Sequence, residues 1–239
     1  MEFSLKNLGV KIFADGANLD TMIEMSSKPY IQGLTTNPTL MHKAGVRNYK
    51  AFAKEVLAIV KNKPISFEVF SDEFDEMIYQ AQEIASWGNN VNVKIPITNT
   101  KGEESLKVIE FLSERDITVN VTAIMTISQV KAVVNSLSST TDAFISIFAG
   151  RIADTGINPI PIMKEALELM KSLPNASLIW ASPRELLNLF QADSIGCHVI
   201  TATTEILNKL DLIGKDLDEY SLETVRMFRH DAEASGYEL

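Results

Sequence analysis

An α/β chain folded as a single (β/α)8 barrel of the TIM type is what the sequence predicts, and three observations predict it. Eight short runs rich in β-branched or aromatic residues recur along the chain, and segments with helical periodicity separate them. The length, 239 residues, is close to the roughly 250 at which such a barrel closes as one domain. A flavodoxin-like open sheet, the second-ranked fold, needs only five strands, and the GxGxxG phosphate fingerprint of a dinucleotide fold is replaced by ADGANLD after the first strand.

The strand runs, in order, are KIFADG (11–16), IQGLTT (31–36), ISFEVF (65–70), VNVKIP (91–96), TVNVTAI (118–124), AFISIFAG (143–150), SLIWAS (177–182) and CHVITAT (197–203). Among the helical segments, EESLKVIEFLSE (103–114), SQVKAVVNSLS (128–138) and PIMKEALELMKSL (161–173) carry apolar residues at helical spacing. Ser128 is the expected N-cap of the second and Pro161 an expected first-turn residue of the third. The end of the chain, SLETVRMFRHDAEASGYEL (221–239), reads as an extra helix with a polar tail that packs on a neighbouring subunit. The chain is thus read as one domain over 1–239, with 220–239 as the added C-terminal helix and tail.

Composition narrows the function. With 46% hydrophobic and 22% charged residues the chain has ample material for a core. Twenty-two basic against 31 acidic residues give a net charge of -9, which argues against nucleic acid or an anionic membrane as the main partner. Small anionic substrates stay open, because a few local arginines outweigh a distant negative surface. No run approaches a membrane span and none has the look of a signal peptide, so a cytoplasmic protein is expected. A lone cysteine, Cys197, excludes an internal disulfide, and His42, His198 and His230 lack metal-ligand spacing.

Lys94, inside the apolar run VNVKIP, is the residue that points to chemistry. Period-two alternation sets Val91, Val93 and Ile95 on one face and Asn92, Lys94 and Pro96 on the other, so the ammonium points into the fold. A lysine held in a dry site loses solvation of its charged form, and its neutral amine becomes a nucleophile toward a carbonyl. The structural alternative is a lysine snorkelling from an edge strand to water. The same alternation makes Ile65, Phe67, Val69, Val119, Val121, Ile145 and Ile147 outward and apolar. The inward set holds Asp15, Glu68, Lys94, Asn120, Thr122, Ser146 and Ser182, with Asn37 past strand two and Arg151 and Arg184 past strands six and seven. Any one of these could be a satisfied core group. Gathering them at one mouth costs folding free energy without a structural return, and inward residues at C-terminal strand ends form the active site of such barrels. Lysine can form a Schiff base whose iminium accepts electrons from a breaking carbon–carbon bond, Asp15 and Glu68 can move protons, and the two arginines offer donor forks to a phosphate, surface ion pairing being the less favoured role for them.

The motifs TTNPT (35–39), FEVF (67–70), VKIP (93–96), NVTAI (120–124), FAGRI (148–152) and WASPRE (180–185) resemble those of the transaldolases, and in length the chain is similar to their compact forms and to the fructose-6-phosphate aldolases. The resemblance runs from Ile12 to about Thr204. It implies that Lys94 carries the Schiff base, that Asp15 is the acid/base at carbon–carbon cleavage, and that Glu68 works through a water held also by Thr122. It further implies that Asn37 and Asn120 orient the substrate, that Ser146 lines the pocket, and that Arg151, Ser182 and Arg184 bind phosphate. The aldolases resemble one another in having Gln on strand three and Tyr on strand six, where this chain has Glu68 and Phe148, as transaldolases do. Gly16, Ile147 and Pro183 depart from the family pattern and bear on the choice of acceptor. The resemblance implies no metal or organic cofactor, phosphorylated sugars as substrates, and a homo-oligomer, pentameric or decameric.

The function expected is a transaldolase moving a dihydroxyacetone unit between sedoheptulose 7-phosphate or fructose 6-phosphate and an aldose phosphate such as erythrose 4-phosphate. Two rivals stand beside it: an aldolase that releases free dihydroxyacetone or serves an unusual sugar, and a barrel that binds a phosphosugar or a partner without turnover.

Overall fold

The computed structural model describes Leu5 and residues 8–238, so the first residues of the expected domain 1–239 and the last of its tail, Leu239, lie outside the described residues. Eight strands, β1 (Lys11–Asp15), β2 (Ile31–Thr35), β3 (Ile65–Glu68), β4 (Val91–Pro96), β5 (Val119–Ile124), β6 (Ala143–Ile147), β7 (Ala176–Trp180) and β8 (Val199–Thr203), form a closed barrel in chain order. Every neighbouring pair is parallel, and β8 returns to β1 with Asp15 beside Thr203. The predicted fold class is therefore the observed one.

Closure follows from two-faced burial. The outward residues Phe67, Val93, Ile95, Val119, Val121, Ile145 and Ile147 are fully buried beneath the surrounding helices, so each strand is apolar on its helix side and must be covered. Inside the barrel a smaller cluster of Phe13, Ile179, Ala181 and Val199, joined by Phe144 and Phe148, fills the lumen. Phe13 fits only because β2 has a glycine beside it: a Cβ on Gly33 would stand 2.5 Å from the ring.

The covering helices are α1 (Leu19–Ser27), α3 (Tyr49–Ile59), α4 (Phe74–Ala85), α5 (Leu106–Ser113), α6 (Ile127–Ser136), α8 (Ile160–Leu169) and α9 (Leu187–Ser194), with α10 (Thr204–Leu207) closing the last unit. Two short helices, α2 (Pro38–Lys43) and α7 (Ala149–Asp154), sit directly after β2 and β6. Pro161 does lie in the first turn of α8. Ser128, by contrast, is not the cap of α6. Thr126 caps it, accepting from the Gln129 amide while the Gln129 side chain accepts from the Thr126 amide, a reciprocal pair that a serine two residues later cannot make. Helix α5 also starts later than its periodicity suggests. Asn99 accepts from the amides of Lys101 and Glu103, and Glu104 bridges to Thr98, which holds 103–105 outside the helix. The last helix, α11 (Leu217–Ala234), is capped by Asp216 and has no buried residue.

Candidate active site

The C-terminal ends of the strands open on a cavity of about 520 Å³ lined by Asp15, Asn37, Glu68, Lys94, Asn120, Thr122, Ser146, Phe148, Arg151, Ser182 and Arg184. All the residues singled out from the sequence are thus brought to one mouth, from seven of the eight strands or the segments after them. Thr35 and Thr201, on β2 and β8, line it as well.

Lys94 is 7% exposed and comes from the middle of β4, directly beside Glu68 on β3 and Asn120 on β5. Its ammonium donates to the Thr36 carbonyl at 2.8 Å and stands 3.3 Å from Glu68 Oε2. It is therefore a buried cation in an ion pair, not a snorkelling edge residue. The other carboxylate oxygen, Oε1, accepts from Thr122 Oγ1 at 3.1 Å, so Glu68 spans the gap between lysine and threonine. Asp15 accepts from Thr35 Oγ1 at 2.7 Å, and Thr35 in turn meets Thr201 Oγ1 at 2.6 Å. Burial of the Asp15 carboxyl pushes its pKa above the usual carboxylate value, against the opposing pull of Lys94 and the Thr35 hydroxyl. Deeper in, Ser146 donates to Asn120 Oδ1 at 2.7 Å and Asn120 donates to Ser66 Oγ at 3.2 Å, which fixes the amide's orientation. Asn37 caps α2 by accepting from the Leu40 amide at 2.9 Å and lines the cavity.

Strict alternation fails at two positions, and both failures shape the mouth. Ser182 has the parity of Leu178 and Trp180, which are buried on the helix side, so alternation would turn it away. It lines the cavity because β7 ends at Trp180 and Ser182 takes a left-handed conformation, φ 56°. Ala123, φ 60°, does the same on β5, where the register with β6 shifts between Val121 and Ile124 and places both Thr122 and Ala123 at the cavity. The turn at Ser182 is pressed against α7: a Cβ on Gly150 would lie 1.6 Å from the Ser182 carbonyl oxygen.

Ion pairing, the role less favoured from the sequence for the two arginines, is found at Arg184. Arg184 forms a two-pronged pair with Asp154, Nε to Oδ1 at 2.8 Å and Nη2 to Oδ2 at 2.5 Å, and donates through Nη1 to the Ser182 carbonyl. Asp154 sits one helical turn from Arg151 on α7, a contact invisible to a reading that followed strand ends alone. Arg151 itself lies over the Phe148 ring, 5.9 Å from its centre.

Tyr49 is the other residue the sequence reading missed. From α3 its hydroxyl accepts from the Glu68 amide at 2.7 Å and donates to the Glu68 carbonyl at 2.9 Å, gripping the backbone of the carboxylate that faces Lys94. Phe67, Phe70 and Trp87 meet its ring edge to face. A tyrosine on a helix has no strand parity, so only Thr35, Ser66 and Thr201 could have been found from the inward pattern.

The arrangement joins a buried amine, two carboxyls of different environment, fixed amide and hydroxyl groups, and two guanidinium groups at the rim, a set suited to Schiff-base chemistry on a small anionic carbonyl compound. Comparison with known proteins agrees in class. The family described as Transaldolase/Fructose-6-phosphate aldolase matches residues 12–239, and the chain belongs to it. A probable transaldolase of Clostridium kluyveri is 34% identical over 200 residues, covering 83% of this chain and 88% of that one. A probable transaldolase 2 of Listeria monocytogenes is 36% identical over 205 residues, covering 84% and 88%. Among solved structures, a putative phosphonomutase from Burkholderia cenocepacia superposes with a TM-score of 0.59 at 11% identity over 95% of this chain and 96% of that one. Dihydrodipicolinate synthase from Rhodopseudomonas palustris superposes at 0.58 with 14% identity over 97% and 81%; these two likenesses concern the barrel alone.

Proposed function

We propose that this protein is a transaldolase that uses Lys94 as its Schiff-base nucleophile. The observation that carries the reading is the position of the Lys94 ammonium, buried at the floor of the mouth and 3.3 Å from Glu68, with Asp15 in the same cavity. Glu68 would take the ammonium proton, directly or through a water shared with Thr122, freeing the amine to add to the C2 carbonyl of a ketose phosphate. Loss of the C2 oxygen as water, protonated by the same pair, leaves the iminium. Asp15, whose burial raises its pKa above the usual carboxylate value, would take the C4 hydroxyl proton as the C3–C4 bond breaks. The bond's electrons pass to the iminium nitrogen, the aldose phosphate departs, and a dihydroxyacetone enamine stays on Lys94. Attack of that enamine on an acceptor aldehyde, with return of the proton from Asp15 to the new alkoxide, and hydrolysis of the iminium complete the transfer. Asn37 and Asn120 would orient hydroxyls, while Arg151, Ser182 and Arg184 would hold the phosphate.

Sedoheptulose 7-phosphate and fructose 6-phosphate are the donors we propose, with erythrose 4-phosphate and glyceraldehyde 3-phosphate as acceptors, in the pentose phosphate pathway. A cytoplasmic homo-oligomer, pentameric or decameric, fits these phosphorylated substrates and the uncovered face of α11. Borohydride reduction in the presence of fructose 6-phosphate should leave a three-carbon adduct on Lys94 by intact-mass and peptide analysis; an unmodified lysine would overturn the proposal. The second reading, an aldolase releasing free dihydroxyacetone, is disfavoured by Phe148 and Glu68 at the positions where the aldolases carry Tyr and Gln. Cleavage that proceeds at full rate without an acceptor aldehyde would favour it.

A further inference from the structure

The opposite mouth of the barrel holds a second cavity, about 690 Å³ in volume, larger than the first. Its deepest polar group is Asn92, two residues before Lys94 on β4 and 6% exposed. Among the described residues, the Asn92 Nδ2 group has no hydrogen-bond partner although it lines this cavity. A buried amide without a partner costs free energy that an ordinary core position would not retain, so something that accepts a hydrogen bond belongs there. The walls are rich in groups that both donate and accept, Gln32 and Asn62 among them, and the half-buried Phe144 ring forms part of the lining. Two cations, Lys11 and Lys61, stand at the rim. Neither has an ion-pair partner among the described residues, and Asp142 is the sole carboxylate among the described residues of the lining. In a chain of net charge -9, the described lining of this mouth carries two lysines against one carboxylate.

We infer that the N-terminal mouth is a second ligand site, one that takes a phosphorylated polyol. Carboxamides match hydroxyl groups, which also donate and accept; the aromatic ring covers an apolar C–H face; and the lysines meet the phosphate as point charges. The inference rests on this cavity alone and holds whether or not Lys94 forms a Schiff base.

Sorbitol 6-phosphate, which lacks a carbonyl, is the probe. Isothermal titration of an R151M/R184M variant, whose C-terminal mouth has lost its phosphate-binding cations, should still show one site per chain. In the amide region of a nitrogen-resolved proton spectrum, the Asn92 side-chain pair should shift along the same titration. Adding K11M/K61M to that background should weaken binding by about tenfold or more, because two exposed charges directed at one phosphate are removed. The single change K61M, on an exposed loop residue, should weaken it by about threefold and serves as the second reading should the quadruple variant fold poorly. Fructose 6-phosphate trapping on Lys94 in K11M/K61M alone should stay within about twofold of the parent, since neither lysine touches the other mouth. Loss of all binding in R151M/R184M, or unchanged binding after removal of Lys11 and Lys61, would overturn the inference and leave a cavity that holds water only.

Discussion

Asp15 shows how a side chain that costs stability can suit the chemistry proposed for it. Its folded pKa is raised above the ordinary 3.8, with burial as the main cause. A carboxyl raised in this way stabilises the fold only below its unfolded pKa, and the contribution is lost as pH rises through the folded value. At neutral pH the ionised form is therefore a cost. D15N keeps an acceptor for Thr35 and removes that charge, so we expect an unchanged or higher melting temperature at pH 7, with the advantage shrinking as pH falls toward 4. Turnover should drop by about 10²- to 10⁴-fold, the range for a lost general acid/base, in a coupled sugar-phosphate assay. Tyr49 argues the reverse case. Y49F removes the hydroxyl that serves both the amide and the carbonyl of Glu68, leaving two backbone groups to find other partners. Unfolding in urea should show a loss of about 1–3 kcal/mol. Turnover should fall with it, because the strand end that aims Glu68 at Lys94 loses its grip. Lys94 is tied into the same balance: its ion pair with Glu68 means that Lys94→Met would strand a largely buried carboxylate, so a loss of stability is expected in urea unfolding.

At the scale of elements, the end of the mouth proposed to hold the phosphate depends on one contact between α7 and the segment after β7. Gly150 lies so close to the Ser182 carbonyl that any side chain must push the two apart. The displaced segment carries Ser182 and Arg184, while Lys94, Glu68 and Asp15 stand on other strands. G150A should therefore raise KM for fructose 6-phosphate by about tenfold or more, the cost of losing one good phosphate contact, while borohydride still traps an adduct on Lys94 at saturating substrate. An equal loss at saturating and limiting substrate would show that the whole mouth had moved. Arg184 belongs to the same element. Asp154 holds its guanidinium in place through two prongs, so the orientation of Arg184 at the mouth is set before any ligand arrives.

For the whole molecule, α11 is the element left over. It is an 18-residue helix with no buried residue, and Leu217, Val225 and Phe228 are 79%, 59% and 63% exposed on it. An apolar face of that kind calls for a cover. The proposed homo-oligomer supplies one, and V225E/F228E should shift the assembly to smaller species in light scattering while the isolated barrel keeps its fold, since neither side chain packs in the core of the described chain. An unchanged mass would show that the assembly is held by another surface.

What the sequence by itself determined is the barrel and most of its mouth. Eight strand runs, their apolar outward sets and the polar residues at the inward ends are local facts of alternation, because a strand buried on both sides writes its two faces into every second residue. Lys94, Glu68, Asp15, Asn120, Thr122 and Ser146 were legible for that reason. The tertiary structure alone decided which polar groups hold one another: the Lys94–Glu68 pair, the Tyr49 clamp on Glu68, the Asp154 hold on Arg184, and the turn that swings Ser182 against its parity into the cavity. Hydrogen bonds and ion pairs between residues 19, 30 or 26 positions apart leave no period in the chain. They exist only once closure of the barrel has brought neighbouring strands and the helices above them into contact.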